Sequence, residues 1–201
     1  MTNVYKNEQS GRSMVEMLGV LAIIGVLSIG GISGYSKAMA KYRVNKTLDQ
    51  ISMLVMNIRS LFSASVSYNG LSDKIAIQMG IIPGDMQTGT GNDIKIINAY
   101  QGGVFIATGD TGGTDRSFIV QYAGLTKEAC VSIATADWGS QAGSGLVSIK
   151  IGKGKTDKMT QQGGFEKTFA VDAMPVPLSD AAAGCSDDSD KIGNVIQWEY
   201  Y

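Results

Sequence analysis

The 201-residue chain contains no histidine. Ser-His-Asp and Cys-His catalysis are therefore excluded, and so is the commonest protein metal ligand. Two cysteines, Cys130 and Cys185, fall short of the four ligands of a structural zinc site once histidine is missing. Charge is sparse and balanced: 17 Lys and Arg oppose 18 Asp and Glu, for a net charge of −1. That balance supplies no field for nucleic acid, and no basic cluster in the carboxy-terminal two thirds supplies one locally. Gly154-Lys155-Thr156 has the end of a phosphate loop, but Ile149 stands where that motif requires its first glycine. No nucleophile and base pair is evident, so the expectation is a non-enzymatic protein with no cofactor and no metal. Only three prolines occur, and the first is Pro83.

What is present is an apolar run. Between Glu16 and Lys37 lie 20 residues without a charge, MLGVLAIIGVLSIGGISGYS, which is about the length a helix needs to cross a hydrocarbon core of roughly 30 Å. Ala38-Met39-Ala40 has the form of a signal-peptide cleavage site, but the run exceeds the roughly 7–15 residues of such a peptide and Lys37 stands inside the cleavage region. Gly19, Gly25, Gly30, Gly31 and Gly34 are more glycines than a helix immersed only in lipid calls for. Gly30 and Gly34 have the i, i+4 spacing of close helix packing. The adjacent Gly30-Gly31 pair, each disfavoured by about 1 kcal/mol relative to alanine, would loosen the helix there.

Beyond Lys37, Tyr42, Leu48, Ile51, Leu54, Val55, Ile58, Leu61 and Phe62 recur at intervals of three and four, forming one apolar helical stripe. With no proline before Pro83, span and stripe can form one helix of about 50 residues. Its first half would lie in lipid or against sister helices, and its second half would pack on a globular head. The alternative is an anchor followed by a separate short helix.

The junction before the span, Gly11-Arg12-Ser13-Met14-Val15-Glu16, resembles the prepilin peptidase site of type IV pilins. The resemblance implies removal of residues 1–11 as a leader, cleavage between Gly11 and Arg12, N-methylation of Arg12, and an assembly role for Glu16. A carboxylate within a span costs about 2.5 kcal/mol or more without a partner, and the amine of a neighbouring subunit would supply one. A Glu16 solvated among headgroups at the membrane interface is the structural alternative. Arg12 departs from the large apolar residue usual at the first mature position, and the leader is short for a type IVb pilin. Lys37, Lys41, Arg43 and Lys46 follow the span while only Lys6 and Arg12 precede it, so the positive-inside rule alone would leave the head in the cytoplasm.

Gly124-Leu125-Thr126 followed by Cys130, read as the capped start of a short helix with Ala129, Cys130 and Ile133 on one face, resembles the type IVb pilins, including the toxin-coregulated and plasmid thin-pilus pilins. The expected fold is α+β: residues 12–36 as the membrane and filament-core half of a long helix, 37–66 as its amphipathic half, and 67–201 as a head built on an antiparallel sheet. Strands are expected over Ile94–Tyr100, Gly103–Thr108, Ser117–Tyr122, Leu146–Ile151, Phe165–Val171 and Ile192–Tyr201. A turn is expected at Ile81–Asp85, a solvated hairpin loop at Gly109–Asp115, and a surface loop at Ala181–Asp190. The even cysteine count of an exported head pairs Cys130 with Cys185, two buried thiols being the alternative.

The resemblance implies a structural subunit whose partners are identical copies, the prepilin peptidase, the inner-membrane assembly machinery and, before assembly, the membrane. It would sit in the inner membrane with a periplasmic head and then in an extracellular pilus used for adhesion, aggregation, conjugation or uptake. A pseudopilin of a secretion system and a membrane-anchored binding protein that never polymerises are the rival readings.

Overall fold

The computed structural model describes residues 12–139, 144–154, 158–160, 164–186 and 193–201. One helix, α1 (Arg12–Phe62), covers 51 residues without a break, so span and stripe share one element. The chain divides into two compact units, Met1–Tyr42 and Arg43–Tyr201.

In the first unit α1 exposes apolar residues on every side: Met14, Val15, Leu18, Leu21, Ile24 and Leu27 are each more than half exposed. In the second unit the helix becomes amphipathic. Ile51, Leu54 and Ile58 are completely buried and Val55 nearly so, while Leu48 and Phe62 pack partly against the same core. Tyr42 and Leu61 depart from the expected stripe and are exposed. Val44 and Thr47 stand on the inward face instead, the Thr47 hydroxyl donating to the Arg43 carbonyl one turn back.

Polar residues on the flank of α1 hold the following segment. The Asn57 side chain donates to the Ile81 carbonyl at 2.8 Å, and Lys46 pairs with Asp85 at 3.0 Å. The Lys46 ammonium holds the Asp85 carboxyl below its ordinary value. The expected turn therefore lies against the helix, ending in a 3-10 turn over Gly84–Met86. Between helix and turn lies a short helix, α2 (Asp73–Gln78), whose Asp73 carboxylate accepts from the Ile106 amide at 2.6 Å.

A two-stranded ribbon joins β1 (Gln87–Thr88) to β2 (Lys95–Ile96). The main sheet contains β3 (Val104–Gly109), β4 (Ser117–Leu125), β5 (Leu146–Lys153), β6 (Phe165–Ala170) and β7 (Asn194–Tyr200) in the order β3-β4-β7-β5-β6, with every pairing antiparallel. The last strand is thus the central one, and all seven of its residues are buried. Side chains alternate between faces. Val120 and Tyr122 of β4, Ile149 and Ile151 of β5 and Ile196 and Trp198 of β7 join the α1 stripe in one apolar core.

Two expected elements are corrected. Ile94–Tyr100 forms a strand only at Lys95–Ile96, because Asn98 turns the chain: its carbonyl oxygen accepts from the Tyr100 and Gly102 amides and its amide donates to the Ala123 carbonyl. Gly102 is required there, since a Cβ would run into that same carbonyl. The expected loop at Ala181–Asp190 is helical at its start, within α4 (Leu178–Gly184). Pro177 directly before this helix and three consecutive alanines within it account for its formation. The other strands extend or shorten by one to three residues, and Ile192 lies outside the described residues.

An aromatic series runs from Phe62 to Tyr68, Phe118 and Tyr200 with successive ring centroids 5.3, 4.8 and 5.7 Å apart, and the Arg59 guanidinium lies 5.1 Å from the Tyr200 ring centre. Burial pushes the Tyr200 hydroxyl from 10.0 up to about 12, the nearby Arg59 charge partly opposing it.

Removing the buried apolar volume of Ile58→Ala should cost about 2–5 kcal/mol, whereas Met56→Ala, on the exposed side of the same helix, should change stability by less than about 0.5 kcal/mol. Thermal unfolding of the full chain in detergent measures both, and equal effects would contradict the assignment of faces. Because the folded Tyr200 value lies above the unfolded one, the stability it contributes is intact below pH 10 and is lost as pH rises toward 12. The unfolding midpoint should fall across that window, and less steeply in Tyr200→Phe; an equal slope in both proteins would contradict it.

Candidate functional site

Two regions carry the residues singled out by the sequence, and they belong to different units. At the amino-terminal end, Gly11 lies outside the described residues and Arg12 is the first residue of α1. Glu16 stands exposed on that helix between exposed Val15 and Met17. It is the sole charged residue from Met14 through Ser36. The helix passes the length and hydropathy requirements of a membrane span, with none of its most apolar window buried within the chain. The five glycines of the span have open space where a side chain would begin. Among the described residues nothing in the packing calls for glycine at those positions.

The second region closes the carboxy-terminal end of the head. Thr126 caps α3 (Lys127–Ala134) by accepting from the Ala129 amide, as its position suggested. The cap starts the helix immediately after β4 and turns Ala129, Cys130, Ile133 and Ala134 into the core. Cys130 is joined to Cys185 in a disulfide, with Cα atoms 5.9 Å apart and a sequence separation of 55, which settles the alternative of two thiols. Cys185 immediately follows α4, so the bond ties the end of α4 to α3.

Asn194, which the sequence reading did not single out, completes this attachment. It accepts from the Ser186 amide at 2.7 Å and donates to the Ser186 and Leu125 carbonyls at 3.1 Å each. One buried side chain therefore fastens the residue after Cys185 to the start of β7 and the end of β4. Its place beside Gly193, which has a positive φ of 65°, was the available signal of a special turn.

A long amino-terminal helix packed by its second half on an antiparallel sheet, with a disulfide-closed carboxy-terminal region, is the fold of the type IVb pilins. The family model described as PilS N terminal matches residues 41–197, and the chain belongs to that family. Among solved structures, a type IV b pilin from Salmonella typhi is similar with a TM-score of 0.54 and 22% identity, over 78% of this chain and 98% of that one. TcpA, a type IV pilin from Vibrio cholerae El Tor biotype, is similar with a TM-score of 0.51 and 11% identity, over 80% of this chain and 99% of that one. At such identities the likeness is one of fold. No curated protein sequence matches the chain.

Opening the 55-residue separation should destabilise the head by about 4 kcal/mol on the chain-entropy account. The double variant Cys130→Ala with Cys185→Ala, compared with the parent by thermal unfolding, tests this value. An unchanged midpoint would mean that Asn194 and the packing of α3 and α4 alone hold the region.

Proposed function

We propose that this chain is a structural subunit of a type IVb-like pilus, cleaved between Gly11 and Arg12, N-methylated at Arg12 and polymerised through the apolar half of α1. The observation that carries the reading is the pairing of an apolar, glycine-containing helical surface, unburied by the chain itself, with one exposed acid, Glu16, near its start. Before assembly that surface is covered by the inner membrane, with the head on the periplasmic side. After assembly it is covered by the same surface of other subunits. Both environments are poor in water, and burial of the apolar side chains is favourable in the transfer from water to either one.

Glu16 gives the assembly its register. Left in hydrocarbon it is costly, and the amino terminus created at Arg12 of a neighbouring subunit offers an opposite charge. The Cys130–Cys185 disulfide supports an exported head, against the lysines and arginine that follow the span. The prepilin peptidase and an inner-membrane assembly machine are the further partners this pathway requires. In the assembled filament the heads form the outer surface for adhesion, aggregation, conjugation or uptake.

Glu16→Ala separates a polymerising subunit from a plain anchor. Electron microscopy of cells expressing the variant should show loss of filaments while the membrane fraction retains the folded, disulfide-bonded chain. Filaments as abundant as those of the parent would contradict the register role.

A further inference from the structure

The core-facing side of the sheet is apolar, yet its opposite face buries polar groups. Gln197 and Glu199 of β7 and Gln121 and Ser117 of β4 are all more than nine-tenths buried. A strap over residues 158–160 crosses this face. The Gln121 side chain holds it as a neighbouring strand would, its carbonyl oxygen accepting from the Thr160 amide at 2.6 Å and its amide donating to the Thr160 carbonyl at 3.3 Å. The same amide reaches the Gln197 carbonyl oxygen at 3.1 Å.

Beside the strap is a cavity of about 430 Å³, within the range of small-molecule sites. Gln197 and Glu199 form its floor, Lys150, Thr160 and Asp110 its polar walls, and Ile119, with Ala107 and Met159, an apolar patch. Among the described residues, Glu199 is held from one side only. Its Oε1 accepts from the Ser117 hydroxyl at 2.7 Å, and that hydroxyl accepts from the Thr111 amide at 3.1 Å. Gly109 makes room for the arrangement, since a Cβ there would stand 2.5 Å from Ser117 Oγ and 2.9 Å from Glu199 Oε1. Burying a carboxylate in this way is unfavourable for a surface with only a structural role.

We infer that this cavity binds one saccharide unit, a role beyond that of filament subunit and independent of polymerisation. A hexose carries several hydroxyls that each donate and accept, together with a C–H face. Glu199 supplies an acceptor, Lys150 a donor, the Gln197 amide both kinds, and Ile119 with Met159 a surface for the C–H face. Both signs of charge are present, which suits a neutral polyhydroxylated ligand better than a free anion or cation.

The test uses the full chain in a detergent without a sugar headgroup and the methyl glycosides of glucose, galactose and N-acetylglucosamine as probes. Saturation-transfer NMR should show contact with at least one of them. Lys150→Met and Glu199→Gln should each weaken that contact about tenfold or more, the loss expected for one charge-assisted hydrogen bond, while Met56→Ala leaves it unchanged. If Glu199→Gln unfolds, the variant at Lys150, which is only partly buried, carries the comparison. No transfer to any of the three glycosides, or transfer that survives Lys150→Met, would overturn the assignment.

Discussion

The structure depends on the burial of one helical stripe against one sheet face. Ile51, Leu54, Val55 and Ile58 have no other way to leave water within the chain, and the inward residues of β4, β5 and β7 have no other cover. Everything nearby follows from holding these two surfaces together. Lys46 and Asn57 fasten the Ile81–Asp85 turn along the helix flank, and Asp73 ties α2 to the edge strand β3. The last strand, β7, takes the central place in the sheet, so the sheet is complete only when the chain's end is in position. The disulfide and Asn194 secure the segment that leads into it.

The same helix carries a second surface with the opposite property. From Met14 to Tyr35 its apolar side chains are exposed and its glycines unoccupied. A surface of that extent is far larger than a soluble monomer ordinarily leaves in water. The head and the amino-terminal helix therefore pose separate physical problems. The head satisfies its own core, whereas the amino-terminal half of α1 requires lipid or other helices.

The period of the apolar residues made the α1 stripe legible, because only a helix brings positions 51, 54, 55 and 58 to one side. Period could not decide its edges, and Tyr42 and Leu61 are exposed where Val44 and Thr47 turn inward. The cysteine pair was legible from its count and setting. The apolar composition of Ile94–Tyr100 suits a strand, while the bend there depends on three long-range or turn hydrogen bonds of Asn98 that composition does not reveal. The helix α4 had signals, Pro177 and the alanine run, that were outweighed by the acidic residues further along. The polar outer face of the sheet was hidden for a different reason: burial of Gln121, Gln197 and Glu199 is created by a strap distant in sequence. Gly11 lies outside the described residues, so the cleavage junction rests on the sequence pattern.

Processing is read out by the intact mass and amino-terminal sequence of the protein recovered from cells containing the matching prepilin peptidase. The mature chain should begin at a methylated Arg12 and retain Glu16 within its first turns. A chain that still begins at Met1, or one that begins at Lys41, would contradict it.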